Sequence, residues 1–245
     1  MKCKISVAIA TYNGEKFIKQ QIASILSQVD DNAEIIISDN GSSDRTIEII
    51  KNFHDKRIFL THCSAKGVVS NFENALSKVS GDIIFLADQD DVWMENKAQI
   101  VKEQLKKYDL VMSDSKIVDE NLNVFHQSFY AYKNAGKGLI KNLISNTYHG
   151  CSMAFKKDVL KLALPFPKNI PMHDMWIGFV GELFFSCYFI PQKLVLHRRH
   201  HANTSTATQK SKYSFSQKMN FRIQLLACIP LLLKRKYFFN KKTFR

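Results

Sequence analysis

Acidic residues stop at Glu182. From position 183 to position 245 the chain carries thirteen Lys or Arg and no Asp or Glu, while residues 1–182 hold 22 groups of each sign. The formal charge of +13 and the pI of about 9.5 therefore describe the carboxyl-terminal quarter. A nucleic-acid footprint spread over the fold is excluded. No window reaches the ~18 consecutive apolar residues of a membrane-crossing helix. Met1 to Lys4 run straight into a strand-like stretch, too short for a signal-peptide core. Cysteines are few and odd in number, at positions 3, 63, 151, 187 and 228, with no C-x-x-C pair. That argues against a disulfide scaffold or a zinc site and fits a reducing cytosol. There is no internal repeat and no low-complexity block. With 45% hydrophobic and 23% charged residues, the composition suits one large domain or two small ones and excludes a disordered chain, a collagen and a coiled coil.

Short, continuously apolar segments alternate with helical stripes through the first 115 residues. Strands are expected over 5–10, 34–38, 58–61, 82–87 and 110–113, with helices over 15–28, 44–53, 71–79 and 95–107. Strands without polar alternation are buried on both faces, so the pattern predicts an α/β fold with a parallel sheet covered by helices. Such sheets bind ligands beyond the carboxyl ends of their strands. Polar clusters sit at those ends: Thr11-Tyr12-Asn13, Asp39-Asn40 and Asp88-Gln89-Asp90-Asp91. The second half is less regular. A proline-marked connection at 165–171 precedes a helix over 173–184 and a strand over 188–196, and residues 201–211 read as a mobile polar loop.

Each cluster has a chemical and a plain interpretation. Three carboxylates in four residues repel one another unless a cation joins them, and hard oxygen ligands suit Mg²⁺ or Mn²⁺ bridging a diphosphate. The plain interpretation is a polar turn in which Asp91 caps the next helix, and both are expected here, with Asp88 and Asp90 as the site. Ionised Asp39 accepts hydrogen bonds only, which suits the N3–H of uracil or thymine. Equally, it is an Asx turn ahead of Gly41. Asp174 is a helix cap or a general base. In His197-Arg198-Arg199-His200-His201, a solvated basic loop is favoured over a metal-binding His and a phosphate-binding Arg. The apolar run 225–233, followed by Lys234-Arg235-Lys236, Phe238 and Phe239, is expected to lie on an anionic membrane surface, the alternative being a helix packed on the domain.

Taken together, 6–14 (Ser-Val-Ala-Ile-Ala-Thr-Tyr-Asn-Gly), 36–44 (Ile-Ile-Ser-Asp-Asn-Gly-Ser-Ser-Asp) and 87–93 (Ala-Asp-Gln-Asp-Asp-Val-Trp) resemble glycosyltransferase family 2 in order and spacing. Residues 150–155, 172–176 and 194–200 are similar to its later motifs. The Asp-Gln-Asp-Asp-Val-Trp form is similar to bacterial O-antigen and capsule enzymes, rhamnosyltransferases among them. The resemblance, which covers roughly residues 4–205, implies a GT-A fold, expected over 1–212 with a nucleotide-binding half at 1–115 and an acceptor half at 116–212; the charge pattern adds a basic amphipathic tail at 213–245. The resemblance also implies that Thr11, Tyr12 and Asp39 hold the nucleoside, with Asn71 nearby. Asp88 is implied near ribose and metal, Asp90 and His200 at the metal, and Asp174 as catalytic base. The family usually has an aromatic at position 197 and Gly at 201, where this chain has His, so His197, His200 and His201 are all candidates for the ligand. Met175 replaces a more usual Trp. The implied enzyme is inverting and uses Mn²⁺ or Mg²⁺. Its partners are a UDP- or dTDP-sugar donor, a lipid-linked or polysaccharide acceptor and the cytoplasmic face of the membrane. The loop 201–211 would close over the donor. A nucleotidyltransferase is the first alternative, but Thr11-Tyr12-Asn13-Gly14-Glu15 lacks that class's Gly-rich, cationic loop. A non-catalytic basic module binding membrane or nucleic acid is the second, and the charge balance of residues 1–182 opposes it.

Overall fold

The computed structural model describes residues 3–201 and 214–243. The expected loop 201–211 and the boundary at 212/213 thus lie almost wholly outside the described residues. Elements follow the chain as β1 (Ile5–Thr11), α1 (Ile18–Leu26), β2 (Glu34–Asp39), α2 (Thr46–Lys51), β3 (Ile58–His62), α3 (Val68–Leu76), β4 (Ile83–Asp88), β5 (Val92–Trp93) and α4 (Lys97–Gln104). The second half continues as β6 (Leu110–Val118), β7 (Val124–His126), α5 (Phe129–Lys133), α6 (Leu139–Ile144), a 3₁₀ turn (Gly150–Ser152), β8 (Met153–Lys156), α7 (Lys157–Ala163), α8 (His173–Phe184), β9 (Cys187–Arg198), α9 (Phe215–Ala227) and α10 (Ile229–Thr243).

One nine-stranded sheet runs β3-β2-β1-β4-β8-β6-β9-β5, with β7 paired to β6. β3, β2, β1 and β4 are parallel, and β6 and β9 are parallel to each other. β8 lies antiparallel between β4 and β6. The sheet is therefore mostly parallel, as expected, with an antiparallel strand at its centre that the sequence pattern did not separate from the helix after it.

Alternation along β1 explains its unbroken apolar run. Val7 and Ile9 pack with Ile22, Ile25 and Val101 under α1 and α4, whereas Ala8 and Ala10 pack with Phe72, Trp176 and Phe179 under α3 and α8. Both faces are buried, so neither can be polar. β6 is longer than its expected four residues because Ser113-Asp114-Ser115 is buried and continues the pairing with β9. Asp114 accepts from Ser128 Oγ (2.6 Å) and the Tyr130 amide (2.9 Å), which lets a carboxylate sit inside a strand.

Helices α9 and α10 rest on this body. Leu225 and Leu232 are buried in the core under α7 and α8. Arg222 Nε donates to the Leu143 carbonyl at 2.5 Å, and Arg235 Nη1 donates to the Leu162 and Ala163 carbonyls at 3.0 Å each. Part of the run expected on a membrane surface is thus spent on the protein itself. No helix of the described residues is long and apolar enough to cross a membrane.

Candidate active site

Strand register brings the expected residues to one edge. Thr11 pairs with Asp39 across β1 and β2, and Ala10 pairs with Asp88 across β1 and β4. Just beyond, Gln89 ties the acidic turn to the end of β1. Its Oε1 accepts from Thr11 Oγ1 (2.6 Å) and the Tyr12 amide (2.9 Å), and its Nε2 donates to the Tyr12 carbonyl (3.1 Å). Gly14 permits this approach, since a Cβ there would lie 2.4 Å from Gln89 Oε1. Asn71 Nδ2 donates to the buried Thr11 carbonyl at 3.0 Å, while its own Oδ1 has no partner among the described residues. Tyr12 is exposed at the rim.

Asp39 makes the Asx turn. One carboxylate oxygen accepts from the Gly41 and Ser42 amides at 2.9 Å each, and the other from Ser42 Oγ at 2.5 Å. A carboxylate offers about four acceptor sites, so the turn fixes the group without exhausting it.

The acidic turn is electrostatically crowded. Burial and the neighbouring carboxylates of Asp91, Asp90 and Asp174 push Asp88 well above the usual carboxylate range. Asp91 moves the other way. Burial alone would raise it, but the charge and hydrogen bond of His197 and the Arg198 amide outweigh burial and lower it. Its Oδ1 lies 3.1 Å from His197 Nδ1 and accepts from the Arg198 amide at 2.9 Å. Asp91 therefore does not cap α4, contrary to expectation. That helix starts after Asn96 with no side-chain cap, and Asp91 instead holds the end of β9. Beneath the turn, Lys97 is fully buried. Its Nζ donates to the Cys151 carbonyl at 2.8 Å and sits 4.8 Å from the Trp93 ring. Burial lowers its pKa to about 8, against the pull of Asp91 and Asp88.

The segment 197–200 is not the solvated loop that the sequence favoured. His197 and Arg198 are buried at the end of β9. Arg198 Nε donates to the Asp90 carbonyl (2.7 Å) and Nη2 to Gln20 Oε1 (2.6 Å). Nη1 donates to the Glu120 carbonyl, and the guanidinium lies over Phe17. This arginine is a strut under the acidic turn. His200 Nε2 lies 2.8 Å from Asp90 Oδ2, His197 faces Asp91, and His201 is exposed. Of the three candidate histidines, the geometry sets His200 against Asp90.

Asp174 occupies the first turn of α8. Its Oδ1 accepts from the Met175 amide (2.7 Å) and its Oδ2 from the Gly150 amide (3.2 Å). Burial raises its pKa to about 6, although these amide hydrogen bonds pull it down. Gly150 has no room for a side chain, as a Cβ would lie 2.9 Å from His173 Nε2. His173 itself is core, stacked on Phe72 at 3.8 Å. The mutual repulsion of Asp88, Asp90, Asp91 and Asp174 is the mark of a place that takes positive charge, and an oxygen-rich set with one imidazole fits Mg²⁺ or Mn²⁺. Sequence reasoning missed Gln89, Lys97, Gly150 and Arg198 as parts of this architecture. Gln89 carried a signal in its place inside the acidic turn, and Gly150 and Arg198 in theirs within the later family-like motifs, whereas Lys97 carried none.

Residues 6–162 match the family model described as Glycosyl transferase family 2. The chain is 37% identical over 97 residues to the UDP-Glc:alpha-D-GlcNAc-diphosphoundecaprenol beta-1,3-glucosyltransferase WfgD of Escherichia coli, which covers 39% of this chain and 38% of that protein. It is 28% identical over 233 residues to the dTDP-rhamnosyl transferase RfbG of Shigella flexneri, covering 84% and 76%. The chain thus spans well under half the length of the first relative. Among solved structures, S. aureus TarS 1-349 in complex with UDP-GlcNAc superposes with a TM-score of 0.71 at 16% identity, over 91% of this chain and 66% of that one. The mannosyltransferase PcManGT from Pyrobaculum calidifontis, in complex with GDP-Man and Mn2+, gives 0.65 at 18% identity, over 91% and 65%. The fold is that of the GT-A glycosyltransferases.

Proposed function

The chain belongs to glycosyl transferase family 2, and on that premise we propose that it moves a sugar, with inversion, from a UDP- or dTDP-sugar to a hydroxyl of a lipid-linked or polysaccharide acceptor. The observation that carries this reading is the meeting of two kinds of carboxylate. Asp174, set on a helix start, feels the charge of Asp88 on the acidic turn, so a basic group and a cation-attracting group share one site.

The roles are those that the family resemblance implies, and the geometry supports them. Asp39, Thr11 and Tyr12 would hold the nucleoside, with Asp39 meeting the N3–H that uracil and thymine share, and Asn71 fixing the Thr11 carbonyl beside them. The relatives named for UDP-glucose and dTDP-rhamnose support that choice of bases. Asp88, Asp90 and His200 would hold Mn²⁺ or Mg²⁺, and a neighbour of the same fold binds Mn2+. Such an ion, when bound, stabilises negative charge on a leaving diphosphate. Asp174, mostly ionised at neutral pH with a pKa near 6, takes the proton of the acceptor hydroxyl. The hydroxyl oxygen then bonds to the anomeric carbon from the face opposite the diphosphate, the carbon–oxygen bond to the phosphate breaks, and one displacement inverts the centre. No second nucleophile is needed.

The acceptor class carries a location with it. An enzyme extending a lipid-linked acceptor works at the cytoplasmic membrane face, and α9 offers a suitable surface. Phe215, Met219, Ile223 and Leu226 form an exposed stripe at helical spacing, flanked by Lys218 and Arg222, in a region without acids. Ile140 and Ile144, exposed on α6, lie on the helix whose carboxyl end Arg222 grips.

The test is direct. Protein incubated with Mn²⁺ and a panel of UDP- and dTDP-sugars is expected to bind at least one donor and to hydrolyse it slowly, read by mass spectrometry. Absence of binding to every donor by a folded sample overturns the proposal.

A further inference from the structure

Behind the acidic turn lies a second group of donor atoms, of different chemistry. His149 precedes the 3₁₀ turn, Cys151 sits within it, and His197 lies near the end of β9. Cys151 Sγ is 3.4 Å from His149 Nε2 and 3.8 Å from His197 Nδ1, and one atom from each of the three residues falls within a 4.8 Å sphere of mutual distances. Asp91 adjoins them, its Oδ1 3.1 Å from His197 Nδ1. All four side chains are 5% exposed or less.

We propose that His149, Cys151, His197 and Asp91 form a binding site for a zinc-like transition-metal ion, of different donor chemistry from the oxygen-rich site at Asp88 and Asp90 and adjoining it, since Asp88 lies within 4.8 Å of the Cys151 and Asp91 donor atoms. Three observations carry it. The spacing fits: with metal–sulfur and metal–nitrogen bonds of about 2.3 and 2.0 Å, sulfur and nitrogen ligands in a tetrahedron stand roughly 3.5 Å apart. The polar groups are under-satisfied: besides the Nδ1 and Oδ1 atoms that define the cluster, Asp91 Oδ2 and His197 Nε2 are each buried without a hydrogen bond among the described residues. The charge closes: thiolate and carboxylate together offset a dication, and binding trades the Cys151 thiol proton, released to solvent, for the metal–sulfur bond. Thiolate and imidazole favour zinc over Mg²⁺ or Mn²⁺, so the two sites would sort their metals by softness.

Sequence spacing gave no hint of this, because the donors come from three distant segments and the cysteines form no pair. An ion here would pin the acidic turn, the 3₁₀ turn and the end of β9 to one point. Its role would be positional, since none of these atoms is open to substrate. A reactive-thiol role is opposed by the same burial: Cys151 is fully enclosed, and burial pushes its thiol well above the ordinary range.

Cobalt(II), a spectroscopic substitute for zinc, tests the site in the reduced, full-length protein. The expected result is one equivalent bound with a thiolate-to-cobalt charge-transfer band in the near ultraviolet, displaced by zinc. The band should vanish in Cys151→Ser and persist in Asp90→Asn, which separates this site from the one used in the proposed transfer. Should Cys151→Ser fail to fold, His149→Gln is expected to weaken zinc binding by more than about tenfold. A folded wild-type protein that gives no such band, or a band that survives Cys151→Ser, overturns the proposal whether or not the protein proves to transfer sugars.

Discussion

His200 Nε2 lies 2.8 Å from Asp90 Oδ2, although 110 residues separate the two in sequence. The contact brings the segment after β9 over the acidic turn that follows β4, and it places an imidazole beside the carboxylate proposed for the metal. Asp90→Asn is therefore expected to weaken manganese-dependent binding of a UDP-sugar by more than about tenfold, with a smaller loss for His200→Ala. Calorimetric titration with and without Mn²⁺ measures both. Unchanged manganese dependence in Asp90→Asn would remove that residue from the site.

Asp174 has a double signature. In the proposed role of base it would make kcat/KM rise with pH and level off above about 6, and Asp174→Asn should lower turnover by ~10²–10⁴ while donor binding persists. Stability runs the opposite way. The folded-state pKa is raised from the ordinary 3.8 to about 6, so the unfolded chain holds fewer protons between those values. Asp174 thus costs the fold nothing below pH 3.8, and its cost grows to its full size above pH 6. Asp174→Asn should raise Tm at pH 7 and leave it nearly unchanged at pH 3.5.

Arg198 is a structural device with a site consequence. Its guanidinium serves the Asp90 and Glu120 carbonyls and the Gln20 amide oxygen at once. Arg198→Met leaves these acceptors unmatched and should destabilise the protein by about 3 kcal/mol in urea unfolding. Arg198→Lys should recover little, because an ammonium lacks the planar fork that reaches all three.

The α9 stripe can be tested without disturbing the core, since Met219 and Ile223 are both exposed. The double substitution Met219→Ser and Ile223→Ser is expected to leave Tm unchanged and to reduce binding to anionic vesicles several-fold in a flotation assay. Full binding by the double variant would assign membrane contact to another surface. Deleting residues 214–245 is a poorer test, because it also strips Leu225 and Leu232 from the core.

The first half of the fold was legible because β1, β2 and β4 are buried on both faces, and nothing but an apolar run satisfies that. Helix α8 was read with the boundaries it has, 173–184, since a polar pair and a proline-marked connection frame it. β6 and β8 were harder. The former hides Asp114 inside a strand by giving it local donors, and the latter is four residues long and runs directly into α7. Arg198 misled for a related reason. A run of His and Arg reads as a surface, and only tertiary contacts with Gln20, Asp90 and Glu120 make it an interior. Asp39 was undecided in sequence, and the structure gives it the turn role while leaving its carboxylate with acceptor capacity to spare.

Gln89 has one more implication. Because a single amide clasps both Thr11 and Tyr12, the lip proposed for the nucleoside and the acidic turn proposed for the cation are joined into one ledge. A sugar nucleotide bound as proposed would meet both parts of that hydrogen-bonded ledge.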